Sequence, residues 1–283
     1  MCGRFTREFT WKQVHDFLNL RFPPVLMAPG PGVDRSYNVA PTQRSAVLRL
    51  VPPTGAARES GRAGAHAEPI RELAALRWGL VPAWAKDVSI GSRMINARAE
   101  TIGEKPAFRT ALARRRCVVP MSGFHEWEQP AAPPTSSSSG SSSRARKAGG
   151  AAKQPWYIHR ADGTILLVAG LWERWSGGTG EGGLAGGRDG IGAADAGVLE
   201  TFTIVTVPAN AFMARLHDRM PAVLEPGAVP RWLDAGASAE GVRELLMPAA
   251  DGVLTAHRVS TRVNSPRNNE PGLVREEPGG LFG

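Results

Sequence analysis

Two stretches of this 283-residue chain cannot contribute to a packed interior, and they dictate how the remainder must fold. Residues 131–154 carry the run PPTSSSSGSSSRARKAGG, and residues 176–197 read SGGTGEGGLAGGRDGIGAADAG. Segments so poor in large apolar side chains bury too little surface to offset the entropy lost on ordering. Both read as insertions, the first of them a disordered hairpin insertion. Removing them leaves short apolar runs bounded by turn formers. These are Ser45 to Val51, Leu73 to Trp78, Cys117 to Val119, PWYIHR and TILLVAGLWERW joined by an Asp162-Gly163 turn, ETFTIVTV, and Val253 to Val259. Such a set favours one antiparallel-rich domain over two domains joined by a linker. Residues 52–69, aperiodic and rich in Pro, Gly, Ala and Arg, read as a surface loop.

Helical signals are few. Thr10-Trp11-Lys12-Gln13 has the form of a capping box, and Val14, Phe17 and Leu18 follow at helical spacing. Thr101-x-x-Glu104 with Pro106 marks a second start, with Phe108 and Leu112 facing inward. Residues 208–224 read as a short helix running into a turn that carries His217, Asp218 and Arg219, and Ser238 to Leu246 as a last amphipathic helix. MINARAET, residues 94–101, places Asn96, Arg98 and Glu100 at alternate positions; in a strand these share one face, either a solvated edge or a pocket lining.

Composition narrows the function classes. With 42% hydrophobic and 21% charged residues the chain can bury a sizeable core. Two cysteines, Cys2 and Cys117, make no disulfide framework, no apolar run approaches the ~18 residues of a membrane span, and the start lacks a signal-peptide pattern. The expectation is a reducing compartment, cytoplasmic or nuclear, and no membrane association. Of the net charge of +8, residues 131–154 supply +4 through Arg144, Arg146, Lys147 and Lys153. The charge left over is a weak pointer to an anionic partner, so individual arginines must carry that argument.

The chemistry concentrates at the first five residues, MCGRF. Loss of Met1, which a small following side chain permits, would give Cys2 both a thiol and a free α-amine. Their ordinary pKa values, roughly 8.5 and 7.7 to 8.0, leave a usable fraction of each deprotonated near pH 7. An aldehyde suits that pair: the amine forms an imine and the sulfur closes on its carbon. The plainer reading of Cys2 is an ordinary buried thiol. RWGLVPAWAKD holds Trp78 and Trp84, either core anchors or a stacking platform for bases. Glu126, between His125 and Trp127, is either an exposed carboxylate or a general acid with a raised pKa. His217, beside two charged residues, can titrate near neutral pH or be structural. No Cys-x-x-Cys or paired-His spacing supports a metal site, and no cofactor is called for.

In order, MCGRF, YNVAPTQ, RWGLVPAWAKD, INARAET, RRCVVPMSGFHEWE, LHDRMP and VNSPRNNE resemble the blocks of the SOS response-associated peptidase family, whose members look like abasic-site processing proteins. The resemblance spans nearly the whole chain outside the insertions and the loop at 52–69. It implies an α+β fold: a single domain over residues 2–283 around a distorted, mostly antiparallel β-barrel-like core with peripheral helices. It implies capture of abasic sites in single-stranded DNA, including single-strand/double-strand junctions, as a thiazolidine crosslink. By the same resemblance Cys2 is the nucleophile, Asn96 orients the opened sugar, Glu126 donates and accepts protons, and His217 shuttles a proton. Arg4, Arg98 and Arg219 match phosphate-binding positions, and Trp84 fills the gap left by the missing base. The family's name adds removal of Met1, either by self-cleavage or by a cellular aminopeptidase, and the expected species is a monomer with room for replication-associated partners. His125 stands where the family commonly has an aromatic residue, so an altered pocket rim is expected.

Two other functions compete. An N-terminal-nucleophile amidohydrolase would use the Cys2 amine as its own base, leaving the arginines and tryptophans without a role. A non-catalytic single-strand binder would need no Cys2 at all.

Overall fold

The computed structural model describes residues 2–27, 34–52, 69–128, 153–177 and 198–278. The expected insertions at 131–154 and 176–197, and the loop at 52–69, lie almost wholly outside these. In chain order the strands are β1 (Arg4–Arg7), β2 (Val25–Met27), β3 (Ser36–Val39), β4 (Arg44–Val51), β5 (Ile70–Trp78) and β6 (Asn96–Arg98). They continue with β7 (Arg116–Met121), β8 (Gly123–Trp127), β9 (Pro155–Arg160), β10 (Leu166–Trp175), β11 (Leu199–Pro208), β12 (Arg219–Pro221) and β13 (Leu254–Arg258). The helices are α1 (Trp11–Arg21), α2 (Pro106–Arg114), α3 (Val229–Leu233) and α4 (Ala239–Arg243). The result is a mixed α/β fold with few helices, as the resemblance implies.

The strands form two sheets. One is antiparallel, in the order β13-β9-β8-β1-β3. The other curls into a partly closed ring: β4, β7, β10 and β11 pair antiparallel in series with β5, and β11 returns to β5 through the parallel pairs Thr201↔Arg77 and Phe202↔Trp78. That contact covers backbone at the ends of β5 and β11 that would otherwise be left unpaired. Both expected insertions fall between paired strands, β8 with β9 and β10 with β11. The Asp162-Gly163 turn does not make a hairpin, because β9 belongs to the first sheet and β10 to the ring.

The two sheets meet through aromatic side chains. Phe5 of β1 packs edge-on against Trp78 of β5 with ring centroids 4.9 Å apart, and Trp78 stacks on Phe202 of β11 at 6.4 Å. All three are fully buried. Each such side chain contributes roughly 1.5–3 kcal/mol by leaving water, so this column fixes β1 against the ring. Gly79 follows directly, with φ +114°, and a Cβ there would lie 2.6 Å from the carbonyl oxygen of Gly91. Only glycine permits that approach, which brings the segment leading to β6 against the end of β5. On the ring's Arg49, the guanidinium lies 2.8 Å from Glu72, 2.9 Å from Glu200 and over the Trp172 ring, holding β4, β5 and β11 together. Such a charge is tolerable in the interior only when it is paired.

Local signals fared unevenly. Helix α1 starts as its capping box demands: the Thr10 hydroxyl accepts from the Gln13 amide at 3.2 Å, and the Gln13 side chain accepts from the Thr10 amide at 2.9 Å. Thr101 and Glu104, in contrast, form a turn, and α2 begins at Pro106 with no side-chain cap. Proline's fixed φ at the first helical position sets that start. Of Asn96, Arg98 and Glu100, only the first two lie in a strand, β6, which ends at Arg98. The expected helix over 208–224 contracts to a single 3₁₀ turn, Met213–Arg215. The chain after it wedges between β10 and β11: the Ala222 amide donates to Val205, and its carbonyl accepts from the Ala169 amide. That wedge delivers His217 and Arg219 to the site.

Candidate active site

Cys2 precedes β1 and is only 1% exposed. Its thiol points back at the Arg4 carbonyl, 3.8 Å away. Burial pushes its pKa far up, and the negative charge of Glu126 pushes it further, so the sulfur is held as a neutral S–H. The Cys2 carbonyl accepts a 2.9 Å hydrogen bond from the Asn96 side-chain amide. Asn96 opens β6, whose parallel pairing with β11 (Ile204↔Asn96) aims it there. Its Oδ1 is buried and has no hydrogen-bond partner among the described residues, an acceptor waiting for a donor.

Glu126 lies in β8, which pairs directly with β1 through Arg4↔His125. It is 2% exposed, and burial, reinforced by the charge of Asp218, pushes its carboxyl up to about 7. It can therefore give and take protons near neutral pH. His217 follows the 3₁₀ turn, and its Nδ1 accepts from the Arg219 amide at 3.0 Å, which leaves the proton of the neutral ring on Nε2. When protonated, Nδ1 instead faces the Asp218 carboxylate at 2.8 Å. Burial lowers the imidazole pKa and favours the neutral form.

The four expected chemical residues thus come from both sheets, and Cys2 touches or feels two of them. The four expected DNA-contact residues differ among themselves. Arg98 is exposed at the end of β6 and Trp84 is 61% exposed, whereas Trp78 is buried with its indole N–H on the Ile95 carbonyl at 2.9 Å. Arg4 donates to Asn38 Oδ1 at 2.8 Å and to the carbonyls of Val263 and Asn264, so it is largely engaged in holding the C-terminal segment. Arg219 is 8% exposed and clamped by Glu100 and the Thr206 carbonyl, so a phosphate there must compete with a resident anion.

His125 does not form a pocket rim. Strand alternation turns it away from the face bearing Glu126, and its ring packs on Tyr157 with centroids 5.3 Å apart. Burial lowers its pKa to about 4, so it is a neutral core residue. The sequence reading missed Asn38, 1% exposed, whose amide donates to the carbonyls of Val263, Ser265 and Asn268 at 2.9–3.1 Å. Its place inside YNVAPTQ was the available signal. Among the described residues no cluster of His, Cys, Asp and Glu could hold a metal ion, and no helix is long and apolar enough to cross a membrane.

Two sheets, one of them a partly closed ring of strands, with few helices define a mixed α/β protein. The family model described as SOS response associated peptidase (SRAP) matches residues 1–266, and the chain belongs to that family. It is 34% identical over 280 residues to the abasic site processing protein YoaM of Bacillus subtilis, covering 98% of this chain and 99% of that one. It is 33% identical over 214 residues to the abasic site processing protein HMCES of Pongo abelii, covering 71% of this chain and 56% of that one. A crystal structure of a protein from Bacteroides thetaiotaomicron shares the fold with a TM-score of 0.67 at 23% identity, covering 98% of this chain and all of that one.

Proposed function

We propose that this chain captures abasic sites in single-stranded DNA by forming a thiazolidine through Cys2 after Met1 is removed. The observation that carries the reading is Cys2 held by the Asn96 amide in the field of a buried carboxyl with a pKa of about 7. The names of its relatives support the choice of ligand.

The electrostatics set an order of events. A sulfur held as S–H is a poor first nucleophile, so the amine of the processed Cys2 attacks the sugar aldehyde first. Nitrogen–carbon bond formation gives a carbinolamine. The Glu126 carboxyl protonates its hydroxyl, water leaves and the imine forms. Sulfur then adds to the imine carbon while its proton passes through the Glu126 carboxylate to the nitrogen. The sum is one aldehyde and one aminothiol giving a five-membered ring and one water. The imidazolium form of His217, its Nδ1–H facing Asp218, gives its Nε2 proton to the ring oxygen of the closed sugar while the Glu126 carboxylate takes the proton of the anomeric hydroxyl, raising the supply of aldehyde, and Asn96 Oδ1 accepts from a sugar hydroxyl. Holding both partners replaces a bimolecular encounter with an intramolecular one. Arg98 and Trp84 meet the flanking phosphate and the gap left by the missing base. The peptidase in the family's description fits removal of Met1 in this same pocket, with Glu126 moving the proton.

The test is incubation of purified protein with an abasic single-stranded oligonucleotide, followed by a denaturing gel and mass spectrometry. The expected adduct has the summed mass less one water, forms without a reductant, and is absent for Cys2→Ser and for intact DNA. Adduct formation by protein that fully retains Met1 would overturn the reading.

A further inference from the structure

Arg98 and Arg219 flank the same end of β11. Thr206 pairs with Arg98 across one edge, and Pro208 pairs with Arg219 across another. The Glu100 carboxylate sits on Arg219, two residues along the chain from Arg98 and within the field of its charge. It engages Arg219 with both oxygens, Oε1 on Nη1 and Oε2 on Nη2 at 2.9 Å. That bond, with the charge of Arg98 adding to it, holds the carboxyl below its ordinary range. Two arginines around one bidentate oxyanion is the way proteins grip a phosphate. Here the oxyanion is part of the chain, and it is the outer member of the pair: the Glu100 side chain is 46% exposed and that of Arg219 only 9%.

We propose that Glu100 is a built-in stand-in for a strand phosphate, occupying the Arg98–Arg219 site in the free protein and displaced by a DNA phosphodiester on binding. This rests on the DNA-binding reading above and adds to it a residue that sets the affinity threshold. The released carboxylate has somewhere to go. Glu100 lines a cavity of about 390 Å³ together with Pro208, Glu240, Arg243 and Glu244. The Arg243 guanidinium already touches the Glu100 carbonyl at 3.5 Å and has no ion pair among the described residues. Exchange of one oxyanion for another returns little net attraction. Intact strands are therefore held weakly, and retention depends on the covalent bond that only a lesion can form.

The experiment measures binding of an intact single-stranded oligonucleotide to full-length protein by fluorescence anisotropy between 50 and 200 mM salt (roughly the range in which phosphate contacts are most salt-sensitive). Glu100→Gln should bind about tenfold more tightly at the low-salt end, the worth of one competing charge-assisted bond. The slope of log K against log salt should steepen by about 0.7, one added phosphate contact. Glu100→Ala should behave alike, and the gain should vanish when Arg219→Ala is combined with either. Equal or weaker binding by both Glu100 variants, with an unchanged slope, would overturn the proposal and make Glu100 a strut that orients Arg219. The oligonucleotide carries no aldehyde, so this result stands apart from whether Cys2 forms an adduct.

Discussion

Glu126→Gln should stabilise the protein at alkaline pH while impairing its chemistry, and the size of the gain follows from the site. Burial moves the carboxyl from its ordinary 4.5 to about 7 in the folded chain. Between those values the folded state binds more protons than the unfolded state, so stability falls as pH rises through that window. At roughly 1.4 kcal/mol per pH unit the loss totals about 3 kcal/mol by pH 7 and stays constant above it. The amide has the shape of the neutral acid and does not titrate. Urea unfolding of both proteins from pH 4 to pH 9 should give curves that nearly coincide below pH 4.5 and diverge to about 3 kcal/mol in favour of Glu126→Gln above pH 7. A difference that stays flat across this range would show that Glu126 is not a buried acid held near neutral, and with it the order of proton transfers would fall.

Asn96→Ala should slow adduct formation in single-turnover gels by roughly two- to tenfold, because a neutral hydrogen bond worth about 0.5–1.5 kcal/mol to the Cys2 backbone is lost; an unchanged rate would make the amide a packing residue. Thr10→Ala should cost about 1 kcal/mol in urea unfolding and leave capture untouched, since α1 lies outside the site. Gly79→Ala should cost more than about 1 kcal/mol and slow capture as well, because the clash with Gly91 disturbs the approach of β6. Wild-type stability in that variant would mean the close approach is dispensable. Arg98→Ala should flatten the salt dependence of strand binding by about 0.7, and an unaltered slope would remove it from the phosphate path.

What could be read in the sequence was what residues decide among near neighbours. The α1 cap is complete within four residues, so it was legible. Thr101 and Glu104 have the same spacing but no apolar run directly behind them, and Pro106 decides where α2 starts. The Asp162-Gly163 turn was visible, but which sheet each flanking strand joins depends on partners far away in the chain. Cys2, Asn96, Glu126 and His217 could be nominated from their motifs. The partners of Arg4 and Arg219 could not, because Asn264 lies 260 residues from Arg4 and Glu100 lies 119 from Arg219. A guanidinium in a motif looks the same whether it awaits a phosphate or already holds a carboxylate.

The same distances explain why the site tolerates a thiol and a carboxyl so deep in the molecule. Cys2 leads into β1 and Glu126 lies in its neighbour β8, whereas Asn96 lies in β6 and His217 just before β12, both strands paired with β11 of the ring. The aromatic column of Phe5, Trp78 and Phe202 is the joint between those halves. The bond from the Asn96 amide to the Cys2 carbonyl needs both halves. If the joint also supplies the burial of Glu126, loosening it should show as a lower pKa for that carboxyl before any strand is lost. Trp78→Phe, which removes the indole bond to Ile95 and thins the column, is the direct probe: the pH window of the Glu126→Gln stability difference should narrow from its alkaline end. A window unchanged in that background would place the burial of Glu126 wholly within its own sheet.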